Sequence, residues 1–320
     1  MCRLFGFRSL APSRAHRSLV LAENALHAQA DIHTDGWGVG YYLRGEAYVV
    51  RSDKPCRDDE SFARISERLS SQTFVAHVRK ATVGQPNPLN SHPFRHGCWL
   101  FAHNGTVFGF ERLVERILAE TAPELRGLAL GSTDSERIFY FLLTGLINAG
   151  LCEHGRGAVD EAVASRALRQ QVARLCQIAD GAGEPPPLLN FILTNGEVFF
   201  AHRSGLELYL ATQKLSCADA ATCPVADKVC LQELPALASQ LALVGTGAPL
   251  RRVNHALVSS EPVGDEHLWE ELPEGHLLTV GPSMRALLDP PLPGWARCPP
   301  ALAPRPRAEP GPRVRMLRAG

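Results

Sequence analysis

Residues 132–150 read STDSERIFYFLLTGLINAG, and this stretch decides the fold class. Its polar, acidic start precedes a long apolar run, which predicts a helix opened by a capping box. Amphipathic patterns at 110–120 and 158–179 predict two further helices, so the middle of the chain is helical. Strand-like segments lie on both sides of this helical block. Because strands and helices are segregated along the chain, the sequence predicts an α+β protein and not a parallel α/β fold.

The flanking segments predict hairpins and turns. Before the helical block, GVGYYLRGEAYVVR predicts a hairpin that turns at 44–46, and SFARISERLS predicts a helix capped by Ser61. QTFVAHVRKATV and CWLFAHNGTV predict strands, the second of them ended by a turn at Asn104-Gly105. After the block, LLNFILTNGEVFFAHRSG predicts a hairpin that turns at Asn195-Gly196, and LELYLAT continues it. The last strands are predicted in VNHALVSSEPV and HLLTVG.

Composition and charge exclude several classes of protein. The chain has 33 Lys+Arg and 33 Asp+Glu residues, so no global positive charge is available for a nucleic acid. No apolar run approaches the roughly 20 residues of a membrane helix, and arginines interrupt the only candidate for a signal peptide. We therefore expect a cytoplasmic protein with neither a membrane nor a nucleic-acid partner.

Nine cysteines and a distinctive C-terminal composition give further expectations. The cysteine count is odd and contains no CxxC pair, which favours reduced thiols. The Cys217-x5-Cys223-x6-Cys230 spacing is wider than that of zinc sites, so we expect no metal. Residues 283–320 are rich in Pro and Arg and predict a disordered tail. Residues 2–282 then form the one folded domain.

Several residues carry chemistry, and each also has an ordinary structural explanation. If Met1 is removed, Cys2 has a thiol and a free α-amine whose pKa is about 7.7–8.0, so the amine can act as the base of the thiol. Arg79 suits a carboxylate through its forked guanidinium, although surface ion pairs are the commoner use of arginine. Asn104 and Gly105 offer two adjacent donors for an oxyanion, or a plain turn. Asp134 could bind an amine or only begin a helix, and His92 could contact a ligand or only pack.

Six motifs together resemble a known family. MCRLFG, DGWGVGYY, HVRKAT, NSHPF, AHNGTV and STDSE occur in this order, and the sequence resembles the class II, N-terminal nucleophile type, glutamine amidotransferases over about residues 2–280. DGWG is similar to a subgroup of stand-alone hydrolases. That subgroup includes the γ-glutamyl hydrolase of the ergothioneine pathway and the amidotransferase subunit of glutathione degradation.

The resemblance implies a fold and a role for each motif residue. The fold would be a four-layer αββα sandwich, with two antiparallel sheets between helical layers. Cys2 would attack a γ-carboxamide while its own α-amine relays the proton, and no cofactor is implied. Asn104 and Gly105 would stabilise the oxyanion. Arg79 would bind the substrate α-carboxylate, and Asp134 would bind its α-ammonium. Thr82 and His92 would line the pocket, which Asp35, Gly36 and Trp37 would shape.

Three functions follow as hypotheses. The first is hydrolysis of glutamine, and the second is hydrolysis of a γ-glutamyl peptide or thiol conjugate. In both, a γ-glutamyl amide bond of a small-molecule substrate is cleaved and glutamate is released. The alternative is a subunit that supplies ammonia to, or acts with, a separate partner enzyme, because only about 40 residues follow the domain and no acceptor domain is expected there.

Overall fold

The chain folds into two antiparallel β-sheets that pack face to face, with helices on their outer faces. The computed structural model describes residues 2–14, 19–20, 35–79, 87–151, 159–216 and 252–299. Within these ranges no helix has both the length and the apolar character needed to cross a bilayer.

The first sheet has seven strands among the described residues, in the order β11-β9-β10-β1-β4-β2-β3. Each neighbouring pair is antiparallel. The strands are β1 (Arg3–Arg14), β2 (Trp37–Leu43), β3 (Glu46–Ser52), β4 (Ser70–Val78), β9 (Tyr209–Lys214), β10 (His255–Ser259) and β11 (His267–Glu271). The chain's first strand, β1, therefore lies in the interior of the sheet, between a strand from the 70s and a strand from the 250s.

The second sheet has six strands in the described part of the chain, in the order β13-β12-β8-β7-β6-β5. They are β5 (Phe94–His96), β6 (Trp99–Thr106), β7 (Leu188–Thr194), β8 (Phe199–His202), β12 (Leu277–Val280) and β13 (Ala286–Asp289). Every residue of β7 is buried. This strand reads as a continuous apolar run instead of an alternating one because both faces of the sheet are covered.

The helices divide unequally between the two sheets. They are α1 (Glu60–Arg68), α2 (Phe110–Ala119), α3 (Asp134–Asn148) and α4 (Glu161–Asp180). The apolar sides of α2, α3 and α4 form one core with the outer face of the second sheet. Phe62 of α1 packs with Phe5 and Phe74 on the outer face of the first sheet. A third core, which includes Leu4 and Ile192, fills the space between the sheets. The order of layers is α, β, β, α, as expected for the sandwich.

Two turn and cap predictions require correction. Asn104 and Gly105 do not form a turn, because they pair with Asn190 and Leu189 of β7 inside β6. Ser61 is not the cap of α1, since Asp59 precedes the helix and accepts the Ser61 N–H at 2.9 Å.

The predicted capping box of α3 is also incorrect. The Thr133 side chain makes no capping hydrogen bond. The carboxylate of Glu136 instead accepts the N–H groups of Leu130 and Gly131, which lie before the helix. The acid therefore fixes the loop that leads into α3.

Two strand assignments differ from the sequence predictions. LELYLAT does not continue the β7–β8 hairpin, because β9 crosses into the first sheet and pairs with β10 and β11. Residues 286–289 form β13 inside the segment predicted as a disordered tail, with Ala286 buried. Prolines flank this short apolar run, so its strand character is not evident from the sequence. The run extends the second sheet by one strand. Residues 300–320 lie outside the described residues.

Candidate active site

Cys2 and Arg79 lie side by side at the ends of two neighbouring interior strands of the first sheet. β1 and β4 pair so that Arg3 is opposite Val78, which places Cys2 and Arg79 at the next position of these neighbouring strands. Side chains alternate along a strand, and Leu4, two residues after Cys2, belongs to the core between the sheets. Cys2 and Arg79 therefore face the same space. Cys2 is half-buried and Arg79 is only 3% exposed.

The predicted DGWG motif holds the backbone of Arg79. The Arg79 N–H donates to the Gly36 carbonyl at 2.8 Å, and the Asp35 N–H donates to the Arg79 carbonyl at 3.3 Å. Gly36 has φ +117°, and a Cβ there would lie 2.6 Å from the Ser52 carbonyl oxygen. Only glycine tolerates that conformation in so little space. Asp35 and Gly36 thus fix the strand end that carries the guanidinium.

Trp37 lies on the other face of the first sheet. Its ring is fully buried, packs against Phe62 of α1 at a centroid distance of 5.1 Å, and donates Nε1–H to Asp59 at 3.1 Å. Trp37 therefore anchors the helix layer, and its side chain does not line the space that Cys2 and Arg79 face.

Asn104 reaches across from the second sheet to the N-terminus of β1. Its side-chain Nδ2–H donates to the Cys2 carbonyl oxygen at 3.1 Å. The amide is 5% exposed. This bond joins the two sheets at the position of the candidate nucleophile. Asn104 and Cys2 are 102 residues apart in sequence.

Gly105 directs its backbone N–H away from the neighbouring strand. Opposite it, the Leu189 N–H donates to Ser204 at 2.8 Å, on the β8 side of β7. In an antiparallel ladder this makes Gly105 and Leu189 a non-hydrogen-bonded pair, so the Gly105 N–H points to the opposite flank of β6. There β5 pairs only with residues 99–101, so no strand of the described residues pairs with Gly105 on that flank. A Cβ at position 105 would collide with the Leu188 carbonyl and the His103 ring, so glycine is required.

Asp134 stands at the start of α3, next to the end of β6. One carboxylate oxygen accepts the Val107 N–H at 2.9 Å, and the other accepts the Ser135 N–H at 2.7 Å and lies 3.2 Å from the Ser135 hydroxyl oxygen. The side chain is 7% exposed. A buried anion at this position is stabilised by the helix dipole and by these donors.

His92 lies in a cluster of buried basic side chains. Its ring contacts His77 at a centroid distance of 4.3 Å. Burial, followed by the charges of His77, His103, Arg79 and Arg51, holds the pKa of His92 well below its usual range, so the ring is neutral at pH 7. Within the described residues neither ring nitrogen of His92 has a hydrogen-bond partner. A neutral ring with a free N–H and a free lone pair can bind either a donor or an acceptor of a substrate.

Two residues close to Asn104, His103 and Ser260, were not predicted as site residues. His103 bridges the Ser135 hydroxyl at 2.9 Å and the Leu188 carbonyl at 3.1 Å, and burial lowers its pKa. Because a carbonyl only accepts, Nε2 carries the proton. Ser260 follows β10 and contacts both Leu4 and Asn104. AHNG contains His103, but the partners of Ser260 lie too far away in sequence for any local signal to reveal them.

Some predicted residues lie outside the described residues. These are Thr82 and the three cysteines Cys217, Cys223 and Cys230. Among the described residues no group of three or more His, Cys, Asp or Glu side chains could hold a metal ion. The structure thus joins Cys2 to Asn104 by a hydrogen bond, places Arg79 beside Cys2 on the neighbouring strand, and holds Asp134 next to the end of β6 that carries Asn104 and Gly105.

The family model for class II glutamine amidotransferases matches residues 1–284. The chain is 27% identical over 251 residues to the gamma-glutamyl-hercynylcysteine sulfoxide hydrolase of Mycolicibacterium smegmatis, which covers 78% of each chain. It is 26% identical over 229 residues to "Probable glutamine amidotransferase DUG3" of Saccharomyces cerevisiae, covering 63% of each. The chain thus spans less than two thirds of the yeast relative.

A solved structure supports the same fold. The class II glutamine aminotransferase domain protein of Silicibacter pomeroyi superimposes with a TM-score of 0.58 at 22% identity, over 91% of this chain and 100% of that one. Because the family model covers most of the chain, the chain belongs to the class II glutamine amidotransferases. The enzymes of this family act on carbon–nitrogen amide bonds.

Proposed function

We propose that this protein hydrolyses the γ-glutamyl amide bond of glutamine or of a γ-glutamyl compound, with Cys2 as the nucleophile. The observation that carries the proposal is the hydrogen bond from the Asn104 side chain to the Cys2 carbonyl at 3.1 Å. It sets an amide donor beside the residue whose thiol would attack. An oxyanion that forms on the attacked carbon needs a preorganised donor at that place.

Removal of Met1 would leave Cys2 with a free α-amine. The amine takes the thiol proton while the sulfur attacks the γ-carbonyl carbon. The negative charge that develops on the carbonyl oxygen is stabilised by Asn104 Nδ2–H and by the Gly105 N–H. The tetrahedral species collapses to a γ-glutamyl thioester, and the leaving amine departs with the proton from the α-amine. Water then attacks the thioester, which releases glutamate and regenerates the thiol.

Two buried charges suit the glutamyl part of the substrate. Arg79 and Asp134 have opposite charges and are 3% and 7% exposed. The fork of Arg79 would bind the α-carboxylate, and the carboxylate of Asp134 the α-ammonium. His92, and Thr82 beyond the described residues, would line the same pocket. We therefore expect a zwitterionic α-amino acid to bind more tightly than an amide that lacks these two charges.

The relatives favour γ-glutamyl compounds as well as glutamine. The Mycolicibacterium relative is named as a hydrolase of gamma-glutamyl-hercynylcysteine sulfoxide, and it aligns over 78% of this chain. We therefore expect a leaving group larger than ammonia to be accepted. We also expect the enzyme to act in the cytoplasm, where small γ-glutamyl amides and reduced thiols occur together.

A substrate panel tests the proposal. Glutamine, γ-glutamyl peptides and γ-glutamyl-p-nitroanilide are incubated with the purified chain, and kcat/KM is compared across leaving groups. Cys2→Ala should abolish glutamate release. Cys98→Ala is the matched control, because Cys98 is also a half-buried cysteine, and its substitution should leave the rate unchanged. Mass spectrometry should find Met1 removed and a γ-glutamyl adduct on Cys2.

Two results would count against the proposal. A fully active Cys2→Ala enzyme, or full activity with Met1 retained, would eliminate the proposed nucleophile. Turnover that appears only after another protein is added would favour the alternative of a subunit that depends on a partner enzyme.

A further inference from the structure

The residues that follow β10 form a tether for the start of the chain. Chain termini are usually poorly ordered unless other residues hold them. Here the Ser260 N–H donates to the Leu4 carbonyl at 2.9 Å, and the Leu4 N–H donates to the Ser260 hydroxyl at 3.1 Å. The next residue, Glu261, forms an ion pair with Arg3. Two consecutive residues thus bind two consecutive residues beside Cys2.

The hydroxyl of Ser260 takes the place of a backbone carbonyl. Phe5 and Ser259 are the last pair of the β1–β10 ladder. In a regular antiparallel ladder, Leu4 and Ser260 would exchange N–H to carbonyl bonds in both directions. One of these bonds is present, but the other ends on Oγ of Ser260 instead of its carbonyl oxygen. The side chain is thereby drawn toward β1 and the candidate active site.

The same hydroxyl also contacts the donor of the candidate oxyanion hole. Asn104 Nδ2–H donates to Ser260 Oγ at 3.3 Å and to the Cys2 carbonyl at 3.1 Å. Both acceptors therefore lie at the nitrogen end of the amide, and together they fix its rotation. Ser260 is 6% exposed, so water competes little for these bonds.

We infer that Ser260 is a positioning residue, which holds the Asn104 amide and the start of β1 in the geometry that the reaction needs. This inference rests on the proposed function. Its bond to Asn104 is the longer of the two amide bonds and ends on a neutral oxygen. An oxyanion is a stronger acceptor than a hydroxyl, so it can accept this hydrogen bond from Asn104 when the tetrahedral species forms. Ser260 acts before that step, by keeping Nδ2 turned toward Cys2.

The test compares Ser260→Ala with Ser71→Ala. Ser71 is a buried serine whose hydroxyl also accepts strand N–H groups, from Tyr42 and Thr73, where β4 begins. Both variants should lower Tm. Only Ser260→Ala should lower kcat on the fastest substrate of the panel, with KM unchanged. We expect a loss of about three- to tenfold, because an amide that Ser260 no longer orients must be turned toward Cys2 at a cost comparable to one hydrogen bond. Ser260→Thr, which keeps the oxygen, should restore kcat.

A double-mutant cycle with Asn104→Ala separates positioning from general destabilisation. If Ser260 acts through the Asn104 amide, Ser260→Ala should cause no further loss of kcat in the Asn104→Ala background. Ser260→Cys, assayed with reductant, supplies a variant of similar size with a weak acceptor in case the alanine variant does not fold.

The outcomes distinguish the two proposals. Equal kcat for the wild type and folded Ser260→Ala or Ser260→Cys, or losses that multiply with Asn104→Ala, would overturn the role of Ser260 alone. Full activity of both single variants, Asn104→Ala and Cys2→Ala, would instead refute the proposed function.

Discussion

Asp134→Asn separates substrate binding from helix capping. The substitution keeps the shape of the side chain but removes its charge and turns one acceptor oxygen into a donor nitrogen. The two carboxylate oxygens accept hydrogen bonds from the Val107 N–H and the Ser135 N–H, and the Ser135 hydroxyl lies 3.2 Å from one of them. A carboxylate offers about four lone-pair positions. At least one position therefore remains for the α-ammonium of the substrate.

The size of the effect follows from this count. A hydrogen bond to a charged group contributes about 1.5–3 kcal/mol. Loss of the ammonium contact should therefore lower kcat/KM by about 12- to 160-fold. The amide nitrogen would also face a backbone N–H, which should reduce the free energy of unfolding by about 1–3 kcal/mol because one buried donor loses its acceptor.

A pair of chromogenic substrates isolates the binding effect. γ-Glutamyl-p-nitroanilide and glutaryl-p-nitroanilide have the same leaving group and differ in the α-amine alone. The wild type should prefer the first substrate by about 12- to 160-fold. Asp134→Asn should reduce that preference to about onefold, whereas its structural effect lowers both rates together.

One result would refute the reasoning about Asp134. If Asp134→Asn lowers kcat/KM equally for both substrates and the preference persists, the carboxylate only organises the junction of β6 and α3. Thermal unfolding of the variant, measured in the same buffer, shows that the comparison is made on folded enzyme.

Three further predictions concern charge, packing and pH. Arg79→Lys should raise KM for γ-glutamyl-p-nitroanilide by about 10- to 100-fold in steady-state assays, because a lysine cannot make the paired contact with a carboxylate. Gly38→Ala should lower the free energy of unfolding by about 1–3 kcal/mol in urea titrations, since its Cβ would collide with the His92 carbonyl. Burial lowers the pKa of both His202 and His255 to about 4, so their contribution to stability is present above about pH 6.5 and lost below it. Unfolding titrations from pH 7.5 to 5 should show a loss of about 2 kcal/mol for each, and His255→Asn should reduce that slope; an unchanged slope would show that His255 is not the source.

Local patterns predicted the elements well, because periodicity and capping act within a few residues. The hairpin at 44–46, the helices and most strands were found this way. Strand neighbours were not predictable, since β9 pairs not with β8, which precedes it in sequence, but with β10 and β11 of the other sheet. Asn104-Gly105 was mistaken for a turn for the same reason. A local turn preference is weak compared with the pairing of β6 along its length with β7.

The candidate site shows the same division between near and distant causes. The resemblance to the family identified Cys2, Arg79 and Asp134 as site residues. In the structure, Cys2 and Arg79 lie on neighbouring strands of the first sheet, and Asp134 lies beside the end of β6. The contacts of Ser260 could not be predicted from sequence, because its partners Leu4 and Asn104 lie 256 and 156 residues away. Trp37 was assigned to the pocket because it belongs to the DGWG motif, but the alternation of β2 turns its ring to the opposite face.

The position of β1 suits the proposed role of Cys2 as a nucleophile. A terminal strand at the edge of a sheet would have one neighbour and would fray. β1 instead pairs with β4 on one side and β10 on the other, and the pairing with β4 extends to Arg3. The Asn104 amide then binds the Cys2 carbonyl from the second sheet. Cys2 is therefore held by three separate parts of the chain, and loss of any one of these contacts should reduce the rate before it reduces the amount of folded protein.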